Sequence, residues 1–390
     1  MLLRLFPSIS PPLSLSTGFR YIRPRASYGL YRGSREMGEK ENSESEVIQV
    51  KNRATFRLCN VSSFTTEVLE IPADNPTLHV LVIPGNPGIV SFYKDFVESL
   101  YELLGGAASV TGKNWVFFVC HFRGCKVYAN LFSNLCLSSA VGHISHTKKN
   151  WEHGRLFSLQ EQIDHKMDFI KQELQNNEVP ILLVGHSIGS YISLEMFKRS
   201  PEKVTTTLYS FVYYSFVTFC VGLYPFLALN RQSIQQSFIR KLAASRIISV
   251  VLSLIVALLG LFPIRLLRLI VTTFLGKLWS ATAVEATCSH LVKYHTMRNV
   301  LFMAMTEFRK LSETPDWAFM REKQHKMAFL FGVDDHWGPL QMFEEISKQV
   351  PDAVLSIERE GHTHAFCCTE AGSMWVAEHV AGLIKNNQAS

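Results

Sequence analysis

Residues 180–199 read PILLVGHSIGSYISLEMFKR, and the fold is decided there. Val179–Val184 is a short apolar run, the pattern of a strand buried on both faces of a parallel sheet. It runs straight into Gly185-His186-Ser187-Ile188-Gly189. The residues that follow, to about Arg199, suit a helix. A Gly-x-Ser-x-Gly segment between a buried strand and a helix is a nucleophile elbow. Small residues are needed at 185 and 189 because the serine occupies a strained turn and neighbouring chain packs close. Ser187 is the candidate nucleophile.

The same rhythm continues on both sides. Leu78–Ile83 is a buried apolar run ending in Pro84-Gly85, followed by helical spacing over 89–104. Further strands are expected at Met327–Gly332 and Ala353–Ile357, with helices at 340–349 and 372–385. Thr55–Val61 and Thr65–Ile71, separated by Ser62-Ser63-Phe64, read as an opening hairpin. Strands alternating with helices predict an α/β protein with a mostly parallel, doubly wound sheet. Residues 112–138 and about 205–219 break the rhythm. The first holds a strand candidate at Trp115–Cys120, and the sheet is expected to resume at Ala140–Ser145 and Cys220–Tyr224.

A serine hydroxyl is a weak nucleophile that needs a base, itself oriented by a carboxylate. In this architecture the chain order is serine, acid, histidine. The strand Met327–Gly332 leads into Val333-Asp334-Asp335-His336-Trp337, which makes Asp335 the first choice of acid and Asp334 the second. The base belongs in Gly361-His362-Thr363-His364, where two histidines compete: the Gly-His pair favours His362 from fold-level pattern alone, and His364 is reachable by the same loop. His121, His143, His146, His153, His165, His290 and His295 fall at the wrong point in the order. An oxyanion hole would combine the Ile188 N–H with one from Pro84-Gly85-Asn86-Pro87-Gly88. Pro87 has no N–H to offer, so Asn86 is the candidate donor.

Composition bounds the rest. The 390 residues are 47% hydrophobic and only 18% charged, with a net charge of +6, which is greasy for a soluble enzyme. The basic excess is spread out, so nucleic acid is not an expected partner. Eight cysteines form no CxxC pair and no metal-ligand spacing, so no metal or cofactor is expected. Residues 1–35 lack acidic side chains and carry scattered arginines, the composition of an organelle transit peptide. Residues 36–50 read as a linker.

Together, IPGNPG at 83–88, QIDHKMDFI at 162–170, GHSIGSY at 185–191, Gly-x-x-Asp-x-Trp at 332–337 and HAF at 364–366 resemble the lipid droplet-associated hydrolase family, in a plant-like form. The resemblance runs from about Thr77 to the C-terminus. It implies an α/β-hydrolase fold acting on neutral lipid or sterol esters at droplet and endoplasmic reticulum membranes. It places the nucleophile on Ser187, the acid on Asp335 and the base on His364 rather than His362. Against the family pattern, 112–138 and 205–219 look like extra sequence, as a retained intron would leave.

The expected organisation is a leader over 1–50, a core over 51–226, an apolar lid over 227–322 and the rest of the core over 323–390. Ile247–Ile264 is uncharged for about the shortest length that spans a bilayer. Pro263 and the arginines beside it favour a hairpin or an interfacial helix instead. Residues 240–276 are therefore the expected contact with a membrane or droplet monolayer. The function expected is a serine ester hydrolase at the droplet or endoplasmic reticulum surface. The alternatives are a droplet-surface lipid-organising protein and an acyltransferase using the same residues. The Arg-rich leader leaves a plastid or mitochondrion open as the location.

Overall fold

The computed structural model describes residues 53–73, 76–106, 136–148, 152–174, 179–200, 217–274, 276 and 278–389. The leader, the strand candidate Trp115–Cys120 and most of 112–138 and 205–219 lie outside them. Thr55–Val61 (β1) and Phe64–Ile71 (β2) pair antiparallel. Their turn is Ser62-Ser63 alone, with φ of 49° and 71°. Such two-residue turns match the twist of paired strands, so Phe64 joins the strand instead of the turn expected from sequence. Leu78–Ile83 (β3), Cys136–Val141 (β4), Ile181–His186 (β5), Val217–Leu223 (β6), Met327–Gly332 (β7) and Val354–Glu358 (β8) complete the sheet.

The order across the sheet is β1-β2-β4-β3-β5-β6-β7-β8. Only the β1–β2 and β2–β4 pairings are antiparallel. β4 and β6 both start earlier than the sequence rhythm suggests. Ser138 lies opposite Val80, and Val217 opposite Ile181. Without those residues the neighbouring strands would keep unpaired main-chain groups in the interior. The sheet therefore takes up the last residues of both stretches that looked like extra sequence.

Helices cover both faces. Lys94–Tyr101 (α1), Leu159–Glu173 (α2) and Ile188–Arg199 (α3) belong to the first half. Between β6 and β7 come Ile234–Ala244 (α4), Arg246–Leu259 (α5), Ile264–Phe274 (α6), Ala281–Ala286 (α7), Tyr294–Lys310 (α8) and Trp317–Glu322 (α9). Leu340–Gln349 (α10) and Glu370–Ala389 (α11) finish the chain. Period-two alternation splits the central strands between two cores. Val80, Val82, Leu182 and Val184 pack with α1 and α11, whereas Leu81, Ile83, Leu183 and Ile181 pack with α2 and α3. Burial on both faces is what makes β3, β5 and β7 read as continuous apolar runs.

The pair α5–α6 departs from ordinary amphipathic packing. The buried side of α5 consists of Ser249, Ser253 and Val256. Arg298 of α8 donates to Ser249 Oγ at 2.7 Å, and Ser253 Oγ returns to its own helix at the Ser249 carbonyl. Ile247, Val251, Leu254, Ile255, Leu258, Leu261 and Leu269 point outward and are exposed. Among the described residues no single helix is long and apolar enough to cross a membrane. The α4–α5 pair reaches that hydropathy only with a 95° bend.

Candidate active site

Ser187 follows the last residue of β5 and caps α3 with φ 56° and ψ −125°, a conformation that costs a non-glycine residue about 1–3 kcal/mol. Its surroundings compel it. Ser187 N–H donates to the Leu223 carbonyl at 2.9 Å, and its own carbonyl accepts from Phe226 N–H at 3.1 Å and Ser190 N–H at 3.0 Å. The flanking glycines are required by contact. A Cβ on Gly185 would lie 2.3 Å from the Gly189 carbonyl oxygen, and one on Gly189 would lie 2.2 Å from the Ile83 carbonyl oxygen. The turn can close only because both positions lack a side chain.

Asp335 lies just past β7, and its side chain is almost wholly buried. Its Oδ2 accepts from His364 Nδ1 at 2.9 Å, and its Oδ1 accepts from Trp337 N–H at 2.9 Å. With Nδ1 as the donor, Nε2 of the neutral ring carries the lone pair. Asp334 is exposed and turned outward. His362 sits elsewhere: its ring lies 5.7 Å from that of Trp375 on α11. Of the two acids and two histidines, the fold brings together Asp335 and His364. Ser187 and His364 line one cavity of about 40 Å³, together with Gly85, Asn86, Phe92 and Cys367.

A buried relay, unforeseen in the sequence, ties the three loops together. Gly85 N–H donates to Tyr93 Oη at 2.9 Å. Tyr93 Oη lies 2.6 Å from His186 Nδ1, and His186 Nε2 lies 2.9 Å from the His364 carbonyl oxygen. A carbonyl can only accept, so His186 Nε2 carries the proton and Nδ1 accepts from the tyrosine hydroxyl. Burial holds the His186 ring well below the usual histidine range and the Tyr93 hydroxyl well above its own. Both therefore stay neutral, as this arrangement requires. His186 occupies the variable position of the elbow, which is the only sequence signal that could have pointed to it.

Ile188 is the first residue of α3, where a helix leaves its N–H without an intrahelical acceptor. The Asn86 side chain donates through Nδ2 to the Val300 carbonyl and to Glu307 Oε1, each at 2.9 Å. Glu307 is buried on α8, and desolvation pushes its carboxyl up to about 8. Behind the same loop, Gly88 N–H donates to His146 Nδ1 at 2.9 Å and the Gly88 carbonyl accepts from His143 N–H at 3.0 Å. His143 and His146 thus stand behind the site as packing residues. Among the described residues, no group of histidine, cysteine and acidic side chains suits a metal ion.

A strained serine at a strand–helix turn, with an acid–histidine pair on later loops of a mostly parallel sheet, defines an α/β hydrolase. Solved structures agree on the fold. The haloalkane dehalogenase DbeA from Bradyrhizobium elkani superposes with a TM-score of 0.57 at 11% identity, over 86% of this chain and 99% of that one. A soluble variant of the Saccharomyces cerevisiae monoglyceride lipase gives 0.51 at 11% identity, over 87% and 97%. The chain belongs to the lipid-droplet associated hydrolase family, whose pattern matches residues 76–367. It is 29% identical to the lipid droplet-associated hydrolase of Gallus gallus, over 75% of this chain and 80% of the relative. It is a hydrolase.

Proposed function

We propose that this hydrolase is a serine esterase acting on hydrophobic acyl or sterol esters at the surface of lipid droplets or the endoplasmic reticulum. The observation that carries this reading is the 2.9 Å Asp335–His364 hydrogen bond on the cavity that also exposes the strained Ser187. His364 Nε2 takes the proton of Ser187 Oγ as that oxygen attacks the ester carbonyl. Asp335 keeps the ring in the required tautomer and stabilises its cation. The N–H groups of Asn86 and Ile188 receive the developing oxyanion. His364 then protonates the leaving alcohol, and water activated by the same ring releases the acid from Ser187.

The lipid substrate is supported by the family's name and by the outward apolar face of α5 and α6. Contiguous exposed apolar surface of this kind marks contact with a membrane or partner. Residues 240–276 are the proposed contact with a phospholipid monolayer, where arginines such as Arg246 and Arg265 sit at headgroup level. In the domain organisation that follows, core segments 51–226 and 323–390 hold the site, and 227–322 form the lid. A cavity of about 40 Å³ is far below the ~300–1,000 Å³ of sites that enclose a drug-sized ligand.

A fluorophosphonate probe tests the nucleophile directly. The wild type is labelled and Ser187→Ala is not; equal labelling of both would sink the proposal. The same apolar face favours a second reading, a lipid-organising protein with little turnover. Restoration of droplet phenotype by Ser187→Ala in cells lacking the protein would favour it.

A further inference from the structure

We propose that Glu307 is a positioning residue for the oxyanion loop, holding Asn86 in place from the lid helix α8. The inference rests on the Asn86 N–H being an oxyanion donor, and it extends that reading from the loop to the lid. Asn86 is separated from Glu307 by 221 positions, yet its two amide hydrogens both end on α8. The Val300 carbonyl points towards the helix C-terminus, and the Glu307 side chain leans back towards the N-terminus. The two acceptors therefore converge on one Nδ2. Asn86 Oδ1 is buried and has no partner among the described residues, so the hold on this side chain runs entirely through Nδ2.

Glu307 is an unusual acceptor for that task. It is buried, and no cation pairs with it among the described residues. A lone carboxylate there would be costly, and burial accordingly favours the neutral acid. A neutral acid offers its carbonyl oxygen to Asn86 as a glutamine would. The acid thus serves geometry, and a charge is not needed for it.

The same helix carries Arg298, whose guanidinium is bonded to Ser249 on the inner side of the apolar helix α5. α8 therefore packs along α5 of the outer hairpin and also holds the oxyanion loop through Asn86. A displacement of about 1 Å can cost a reaction about 10²-fold when it misplaces a reacting group. A shift of α8 as the hairpin meets lipid would be transmitted to the Asn86 N–H through these two hydrogen bonds.

The test uses the full chain and a soluble short-chain p-nitrophenyl ester. Glu307→Ala should lower kcat about 10–100-fold with KM within about twofold, because the lost contact acts on the oxyanion and not on ground-state binding. Glu307→Gln should stay within about threefold of the wild type, by the same geometry. Amide exchange of the peptide spanning 84–90 should quicken in Glu307→Ala and not in Glu307→Gln. Unchanged kcat in Glu307→Ala, a loss confined to KM, or equal damage by both substitutions would overturn the proposal. If the wild type shows no Ser187-dependent turnover, the esterase reading fails, and the exchange comparison still decides whether Glu307 holds the loop. Unaltered exchange in Glu307→Ala would then reject it.

Discussion

Tyr93 joins residues that lie far apart in the chain: it accepts from Gly85 and donates to His186, 93 positions away. Replacing it by Phe removes one hydroxyl and strands two buried groups, the Gly85 N–H and His186 Nδ1. Unsatisfied buried groups cost about 1–3 kcal/mol each, more than an average hydrogen bond contributes. Tyr93→Phe should therefore lower stability by about 2–6 kcal/mol in urea unfolding, and an unchanged midpoint would refute the relay. At the base, His364→Ala should lose at least about 10³-fold in esterase kcat, on the scale of triad deletions, whereas His362→Ala should remain near the wild type. Comparable losses would reopen the assignment. Ser187, Asp335 and the two histidines were legible because each follows a strand, in an order that the chemistry dictates. Choosing between His362 and His364 took family resemblance, since both sit on one short loop. Tyr93 and Glu307 were not legible, because contacts spanning 93 and 221 positions leave no local spacing.

At the scale of elements, α5 shows what hydropathy alone conceals. Ile247–Ile264 is plainly apolar in sequence, but the side that faces protein is not. Ser249 and Ser253 are buried because Arg298 and the helix's own carbonyl satisfy them, while the aliphatic side chains face out. Helical periodicity locates the serine stripe without saying which stripe meets the body of the protein. The consequence is measurable. Leu254→Glu, Leu258→Glu and Leu261→Glu together should abolish flotation with phosphatidylcholine-coated triolein droplets. Exposed sites contribute within about 0.5 kcal/mol each to stability, so hydrolysis of a soluble ester should persist. Droplet binding that survives the triple substitution would remove α5 as the contact. The sheet was easier to read, since two-sided burial leaves continuous apolar runs. Its errors fell at β4 and β6, whose first residues belong to the stretches with no clear period.

At the scale of the whole fold, burial keeps five histidines among the described residues neutral. Burial lowers His79 to about 4, His146 to about 3 and His165 to about 2, and it holds His143 and His186 well below the usual value. Each is tied to a neighbour that requires the neutral ring or is packed where a charge cannot be solvated. His79 pairs with Ser139, His146 accepts from Gly88, and His165 accepts from Lys166 Nζ. As the pH falls below about 6.5, the unfolded chain takes up protons at these positions while the folded chain does not. Stability supplied by the depressed groups is thus complete above about pH 6.5 and drains away on acidification, at up to about 1.4 kcal/mol per pH unit for each histidine. Glu307 opposes the trend. Its raised value stabilises the fold at low pH, and that contribution is lost as pH rises through about 8. One such group cannot offset five. The urea midpoint should therefore fall steeply from pH 7 to pH 5, well before ordinary carboxylates titrate. Gly88 provides the local check: a Cβ there would lie 2.2 Å from the His143 ring, so the loop bearing Asn86 rests directly on this histidine layer. Acidification should loosen that layer first. Amide exchange in 84–90 should accelerate between pH 7 and pH 5, after correction for intrinsic rates, more than exchange in β7. Equal protection of the two segments across that range would show that the histidine layer does not support the oxyanion loop.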